Sequence, residues 1–160
     1  MGCGRRDLPE LKEHEIIRLD INKDVKPDIV HDLNKHPLPF KDKEFDQIHA
    51  YDVLEHLGKQ GDYKFFFSEF NEYWRILKPD GLFIASTPTE NSKWSFGDPG
   101  HTRVFSMNYL TYLFIDNYQQ CGITQMTDYR YLYKGNFSVD SIIYDPGNEA
   151  YIFILRKIDV

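Results

Sequence analysis

The residues that could do chemistry lie in a few short segments, most of them in the first half of the chain. Gly2-Cys3-Gly4 offers a glycine pair, and Asp20 follows it after an apolar run. Glycines let a backbone approach a ligand closely, and a carboxylate roughly 15 to 20 residues later can accept both hydroxyls of a ribose. The interval from Gly4 to Asp20 fits this arrangement, so the sequence is compatible with a nucleotide-sized ligand.

Two other interpretations of these residues stay open. A Gly-x-Gly pair directly after Met1 is also typical of a flexible terminus. Aspartate at a strand-to-helix turn is a favoured N-cap, so Asp20 and Asp32 could simply cap the helices that follow them.

A third group comprises Asp52, Glu55 and His56, which place two carboxylates and an imidazole within one helical turn. Such donors could hold a divalent metal ion. The opening turn of a helix also prefers acidic residues. We favour the structural interpretation and predict no metal site.

His101 is the candidate for proton transfer. It lies in the Gly- and Pro-containing stretch 97–103, with Trp94 and Phe96 just before it. This stretch could cover an acceptor pocket as a mobile lid, where a neutral imidazole can take a proton from a reacting group. A histidine in a loop is also often a bystander, and that alternative stays open.

The elements that must position these residues alternate between two kinds. Short β-branched or aromatic runs predict six strands, at residues 16–21, 28–33, 47–51, 81–86, 123–133 and 150–157. Three- and four-residue apolar spacing predicts helices over residues 66–77 and 110–121, the second with Ser106 as N-cap and Gly122 as its stop. A turn is predicted at residues 78–81. The alternation predicts an α/β fold whose sheet is mainly parallel with helices on both faces, and whose last two strands form an antiparallel hairpin.

Composition limits the class of protein. A chain of 160 residues with 41% hydrophobic residues has the size of one domain, here residues 1–160. The net charge of −6 and the scattered basic residues argue against DNA or RNA as partner. Cys3 and Cys121 lack metal-ligand spacing, which indicates a reducing, cytoplasmic location. No apolar run approaches the roughly 18 residues that span a bilayer, so no membrane partner is predicted.

Several runs carry a resemblance to a known family: Asp28–Leu33, Pro37–Phe40, Phe45-Asp46, Asp52–Leu57 and Leu77–Gly81. Their order and spacing over about residues 2–122 resemble the type 11 branch of class I S-adenosylmethionine-dependent methyltransferases. The resemblance implies a Rossmann-like methyltransferase fold and S-adenosylmethionine as cofactor.

The resemblance also implies roles for individual residues. The segment Gly2, Cys3 and Gly4 would flank the methionine part of the cofactor. Asp20 with Ile21 would hold the ribose, and Asp32 with Leu33 would face the adenine. Tyr51 and Asp52 would line the methionine side, where the sulfonium is presented.

The expected reaction is methyl transfer to an oxygen, or alternatively a nitrogen, of a small-molecule acceptor. The chain carries no Asn- or Asp-Pro-Pro-aromatic motif, so methylation of a nucleic-acid base is not expected. Two other classes stay open: a non-catalytic module that regulates a partner, and a nicotinamide oxidoreductase on a similar sheet. The oxidoreductase is weakened because the glycine pair does not extend to Gly-x-Gly-x-x-Gly.

The start of the chain carries a further expectation. In the family that the chain resembles, a first strand precedes the glycine loop at the centre of the sheet, whereas only Met1 precedes Gly2 here. The fold is therefore expected to be N-terminally truncated, with the slot between strands 16–21 and 47–51 filled by another segment or by a partner chain, such as a second copy. We also expect a poorly anchored Gly2–Gly4 loop and weakened cofactor affinity.

Overall fold

The computed structural model describes residues 1–2, 4 and 13–159. The strands are β1 (Leu19–Asp20), β2 (Ile29–Val30), β3 (Phe45–Tyr51), β4 (Leu77–Pro88), β5 (Phe137–Asp145) and β6 (Ala150–Lys157). The α-helices are α1 (Tyr63–Ile76) and α2 (Trp94–Gly97). Four 3₁₀ segments join them: Lys23–Val25, Leu54–His56, Met107–Leu113 and Ile115–Gln120.

The described strands form two sheets. In the smaller, β1 and β2 run parallel and pair Asp20 with Val30. In the larger, the order is β3-β4-β6-β5. Strands β3 and β4 are parallel, whereas β4–β6 and β5–β6 are antiparallel. The α/β architecture is confirmed, but its larger sheet is mixed rather than mainly parallel.

The structure contains the predicted C-terminal hairpin, but the sequence pattern placed one of its two strands at the wrong residues. Strand β6 has the predicted bounds, but its partner is Phe137–Asp145 and not 123–133. Residues 123–133 are irregular because their aromatic side chains pack inward: the ring of Tyr129 lies 4.8 Å from that of Phe67, and Tyr133 is buried. Tertiary packing has overridden β-propensity there.

Helix α1 supplies most of the core and confirms the helix predicted over 66–77. Asp62 caps its start by accepting a hydrogen bond from the Phe65 N–H at 3.0 Å. One face of the helix carries Phe70 and Tyr73, whose rings contact Phe83 of β4. Phe83 thereby lies between α1 and the sheet, which fixes the position of β4.

The segment predicted as a turn at 78–81 lies within β4 as a bulge. Leu77 pairs with Phe45 and Leu82 with Gln47, so the intervening residues loop out of register. Asp80 has φ 60. The chain therefore passes from α1 into β4 without leaving the core.

The helix predicted over 110–121 is two 3₁₀ segments instead. Ser106 caps the first as expected, and Gly122 follows the second with φ 83. Phe114 is extended between them, and the Ile115 N–H donates to Asn136 Oδ1 at 3.0 Å rather than to a helical carbonyl. This outside acceptor accounts for the interruption.

Helices do not cover both faces of the larger sheet in the part of the chain that the structure describes. Phe83, Ala85 and Phe153 are buried on the α1 side, whereas Ile84 and Ile154 on the opposite side remain partly exposed. Among the same residues, no helix has the length and apolar character needed to cross a bilayer.

A cavity of about 800 Å³ lies between the two sheets. Residues 14–19 line one side of it and residues 45–49 of β3 line the other. The described residues leave a cleft there, bordered by the edges of β1 and β3. Residues 3 and 5–12 lie outside the described part of the chain, and the expectation that another segment or a partner chain fills the slot stays a prediction.

Candidate functional site

Asp20 joins the glycine loop to the carboxyl end of β1. Its Oδ2 accepts a hydrogen bond from the Gly4 N–H at 2.8 Å, and its Oδ1 accepts one from the Asn22 N–H at 2.8 Å. A carboxylate has about four acceptor positions, so two remain for further donors such as ribose hydroxyls. The predicted pairing of glycine loop and acid is present in the structure.

Gly2 occupies a position that a larger residue would strain. Its φ is +56, and a Cβ there would lie 2.5 Å from Val53 Cγ2. The Met1 ammonium donates to the His49 carbonyl at 2.6 Å. Met1 and Gly2 therefore contact β3 and Val53, the second residue after its end, and poor anchoring of the loop stays a prediction. Cys3 lies outside the described residues.

Asp32 is engaged in its own turn. Its Oδ1 accepts from the Asn34 N–H at 3.0 Å and from Asn34 Nδ2 at 3.1 Å. The backbone hydrogen bond from Asn34 lowers the pKa of this carboxyl. No helix follows Asp32 before β3 among the described residues, so these contacts form a turn and not the helix cap of the alternative interpretation. Leu33 beside it is buried in the core, whereas Ile21 is 65% exposed.

Asp52 ends β3 in a fixed conformation. It has φ 54, its N–H donates to the Ser86 carbonyl at 3.1 Å, and its Oδ1 accepts from Ser86 Oγ at 2.7 Å. Tyr51 precedes it, with its hydroxyl 3.0 Å from His49 Nδ1. Ser86 was not singled out from the sequence, although its place at a strand end was the available signal.

His101 lies against Glu55. Its Nε2 is 3.9 Å from Glu55 Oε1, and the two side chains are only 7% and 3% exposed. Burial raises the pKa of Glu55 to about 7, and the negative charge of Asp52 adds to the effect. Sequence spacing could not pair these residues, because no short-range pattern links a strand-end acid to a distant loop.

Backbone and ion-pair contacts hold the His101 loop in place. The Thr102 and Arg103 N–H groups both donate to the Glu55 carbonyl, at 2.9 and 3.2 Å. Arg103 Nη2 forms a buried ion pair with Glu69 of α1 at 2.8 Å, and its Nε donates to the Leu54 carbonyl at 2.7 Å. The part of the predicted lid that carries His101 is therefore fixed to the core.

Comparison with known proteins also supports a methyltransferase. The sequence model of the family described as methyltransferase domain matches residues 1–85, which is more than half of the chain. The chain therefore belongs to this family, the class I S-adenosylmethionine-dependent methyltransferases, whose cofactor is S-adenosylmethionine. The enzyme class and the cofactor expected from the sequence are confirmed.

Solved structures share the fold at low sequence identity. The PH0226 protein of Pyrococcus horikoshii is 18% identical with a TM-score of 0.60, covering 98% of this chain and 80% of that one. A SAM-dependent methyltransferase of Archaeoglobus fulgidus is 19% identical with a TM-score of 0.61, covering 98% and 83%. A methyltransferase of Haloferax volcanii, solved with the Trm112 activator, is 14% identical with a TM-score of 0.62, covering 99% and 80%. A search of curated proteins found no match.

The described residues fit the family's cofactor. Gly2 and Gly4 both have positive φ, and the backbone at Gly2 approaches Val53 closer than a side chain would permit. Asp20 retains acceptor positions beside them. Gly2 and Gly4 thus place no side chain next to the Asp20 carboxylate, which suits an adenosyl ligand.

Proposed function

We propose that this methyltransferase acts on an oxygen of a small-molecule acceptor. The observation that carries the proposal is the contact between the imidazole of His101 and the carboxylate of Glu55. A hydroxyl must lose its proton as it is methylated, and a buried imidazole beside an acid is suited to accept that proton. An amine acceptor is the alternative.

The cofactor is assigned to the carboxyl ends of β1 and β3. Gly2 and Gly4, with Cys3 between them, would pass along its methionine part, and Tyr51 and Asp52 would border the same part. Asp20 would accept the ribose hydroxyls, with Ile21 beside it. Asp32 and Leu33 are proposed for the adenine side.

The methyl group comes from the cofactor, whose carbon–sulfur bond breaks with its electron pair going to sulfur as the oxygen–carbon bond forms, leaving S-adenosylhomocysteine. His101 would hold the proton that the acceptor hydroxyl releases. The Arg103–Glu69 ion pair fixes the loop to α1, so the His101 imidazole would keep its position when it accepts the proton.

The test is transfer of a labelled methyl group from S-adenosylmethionine to a panel of small hydroxyl and amine compounds. We expect hydroxyl acceptors to be labelled, and His101→Asn to lower kcat by about 10²- to 10⁴-fold. The control measurement is cofactor affinity, which should not change in His101→Asn. Exclusive labelling of amines would contradict the choice of oxygen, and an unchanged kcat would contradict the role of His101.

Because the family is one of enzymes, a non-catalytic module is not proposed; we propose instead that a partner chain or second copy completes the sheet in the cleft between β1 and β3. The Haloferax volcanii neighbour was solved with an activator protein. Titration with S-adenosylmethionine and S-adenosylhomocysteine tests whether cofactor binding needs such a partner. Binding of both near micromolar by this chain alone would contradict the need for a partner, and no heat for either would support it.

A further inference from the structure

The buried polar atoms without a hydrogen-bond partner are concentrated at one place. Among the residues that the structure describes, four buried side-chain nitrogen or oxygen atoms lack a partner. They are Oε1 and Oε2 of Glu55, Oγ1 of Thr87, which lies beside the Glu55 carboxylate, and Nδ1 of His101. Buried polar groups are nearly always paired, so a buried carboxylate with two unpaired oxygens indicates a ligand that binds beside it.

His56 completes the group. One donor atom each from Glu55, His56 and His101 can be chosen so that all lie within 4.8 Å of one another. His56 Nδ1 is 3.0 Å from the Gly100 carbonyl oxygen. Because a carbonyl only accepts, Nδ1 carries the proton and the lone pair of Nε2 is free. Metal-binding histidines usually have their second nitrogen fixed in this way.

The separations also suit a shared ion. His101 Nε2 lies 3.9 Å from Glu55 Oε1, which is too long for a hydrogen bond. Two donors on one tetrahedral zinc ion, each about 2.0–2.2 Å away, lie roughly 3.5 Å apart. Asp98 Oδ2 is also 3.9 Å from His101 Nε2, but Asp98 is not among the donors that lie within 4.8 Å of one another.

We propose that Glu55, His56 and His101 form a site for a divalent transition-metal ion of the zinc type. Two imidazoles and one carboxylate are the donor set of open, catalytic zinc sites, whereas magnesium and calcium prefer oxygen donors alone. His56 is exposed, so the site opens to solvent on its side. The proposal goes against the prediction of no metal, which considered only neighbours in sequence.

A metal ion here would have a consequence that rests on the proposed methyl transfer to oxygen. The ion would bind the acceptor hydroxyl and lower its pKa, so that it could lose its proton near neutral pH. With the ion bound, Nε2 of His101 would be a metal ligand, and the proton-accepting role proposed above for His101 would apply to the metal-free protein.

The experiment is titration of chelator-treated, tag-free protein with Zn²⁺ by calorimetry, and with Co²⁺ by visible absorption. We expect the parent to bind one equivalent of Zn²⁺ and to give the absorption of four- or five-coordinate Co²⁺. Glu55→Gln, His56→Asn and His101→Asn should each weaken Zn²⁺ binding at least tenfold. His14→Gln is the matched control, an exposed histidine outside the group that should leave binding unchanged.

Absence of Zn²⁺ binding by the parent would overturn the proposal, as would parental affinity in His56→Asn. Changes at the buried residues Glu55 or His101 can disturb folding, which circular dichroism would show. His56→Asn changes an exposed side chain, so its Zn²⁺ affinity tests the proposal even where the other two variants do not fold. The titration contains neither cofactor nor acceptor. Its failure therefore leaves methyl transfer standing, and a failure of methyl transfer leaves the metal site standing.

Discussion

The backbone N–H of Gly4 donates a hydrogen bond to Asp20 Oδ2 at 2.8 Å. This bond ties the glycine loop to the carboxyl end of β1, although 16 positions separate the two residues. Asp20 therefore has two roles in the proposed site: it positions the loop and keeps acceptor positions for the ribose.

Asp20→Ala should lower S-adenosylmethionine affinity by about 1.5–3 kcal/mol, because hydrogen bonds to a charged group are lost together with the loop contact. Asp32→Ala should cost less, because Asp32 already accepts bonds from Asn34 within its own turn. Calorimetry measures both affinities, and circular dichroism checks folding. Equal affinity in the parent and Asp20→Ala would refute the ribose assignment.

Gly2→Ala should weaken cofactor binding more than Gly4→Ala. Both residues have positive φ, but an added Cβ at position 2 would meet Val53 Cγ2 at 2.5 Å, whereas at position 4 it would meet nothing within 4 Å. Both variants thus carry the cost of placing an alanine at positive φ, and only Gly2→Ala adds a steric clash with Val53. Val53→Ala combined with Gly2→Ala should recover part of the affinity by calorimetry. Equal losses in both glycine variants would show that the close contact with Val53 is irrelevant to binding.

Removing one partner of the buried Arg103–Glu69 pair should destabilise the fold strongly. Arg103→Met leaves the Glu69 carboxylate buried without its counter-ion, at an expected cost of about 3–5 kcal/mol. The control is Arg130→Met, which breaks the solvent-exposed pair with Asp128 and should cost about 1 kcal/mol or less. Urea unfolding measures both. Similar losses from the two variants would mean that the Arg103 pair is not buried in solution.

His36 should make stability fall at acidic pH. Its Nδ1 lies 2.7 Å from Ser68 Oγ and its ring stacks on Phe65, and burial lowers the pKa of this histidine. The unfolded chain, with a histidine pKa of about 6.5, therefore takes up the proton more readily than the folded chain. The contribution of His36 to stability should be constant above that pH and fall below it. Urea unfolding of the parent between pH 7.5 and 5.5 should show a larger loss than His36→Gln, and identical losses would contradict this origin.

Elements with one strong local pattern were predictable from the sequence. The apolar spacing of α1 and the bounds of β6 were found correctly, because each element buries one face at its own period. Residues 123–133 were not, because their aromatic residues satisfy a strand pattern and a buried irregular segment equally well. Tertiary contacts, such as the packing of Tyr129 on Phe67, distinguish the buried irregular segment from a strand.

The candidate site was also predictable from the sequence only in part. Gly4 and Asp20 were paired correctly, because the interval between a glycine loop and a carboxylate is a pattern that the sequence itself displays. Glu55 was considered only with its sequence neighbours, and its contact with His101 depends on the loop after β4 folding back over residues 54–56. No local periodicity records a contact of this kind.

The cleft between β1 and β3 gives the last prediction. The Met1 ammonium donates to the His49 carbonyl, so residues placed ahead of Gly2 would run back along β3 from His49 toward Phe45. The cleft there has a volume of about 800 Å³ and is lined by Ile16, Ile17, Phe40 and Phe45 among others. A fused Leu-Leu-Asn-Leu segment ahead of Gly2 should pair with the edge of β3 and bury its leucines against these side chains. We expect the melting temperature and the S-adenosylmethionine affinity to rise together, because the added strand would support the glycine loop from behind.

A Gly-Ser-Gly-Ser fusion of equal length is the control, since it can pair through its backbone but buries no apolar surface. If the two fusions behave alike, or if the apolar one raises neither quantity, then a strand in this cleft is not what stabilises the sheet or the cofactor site.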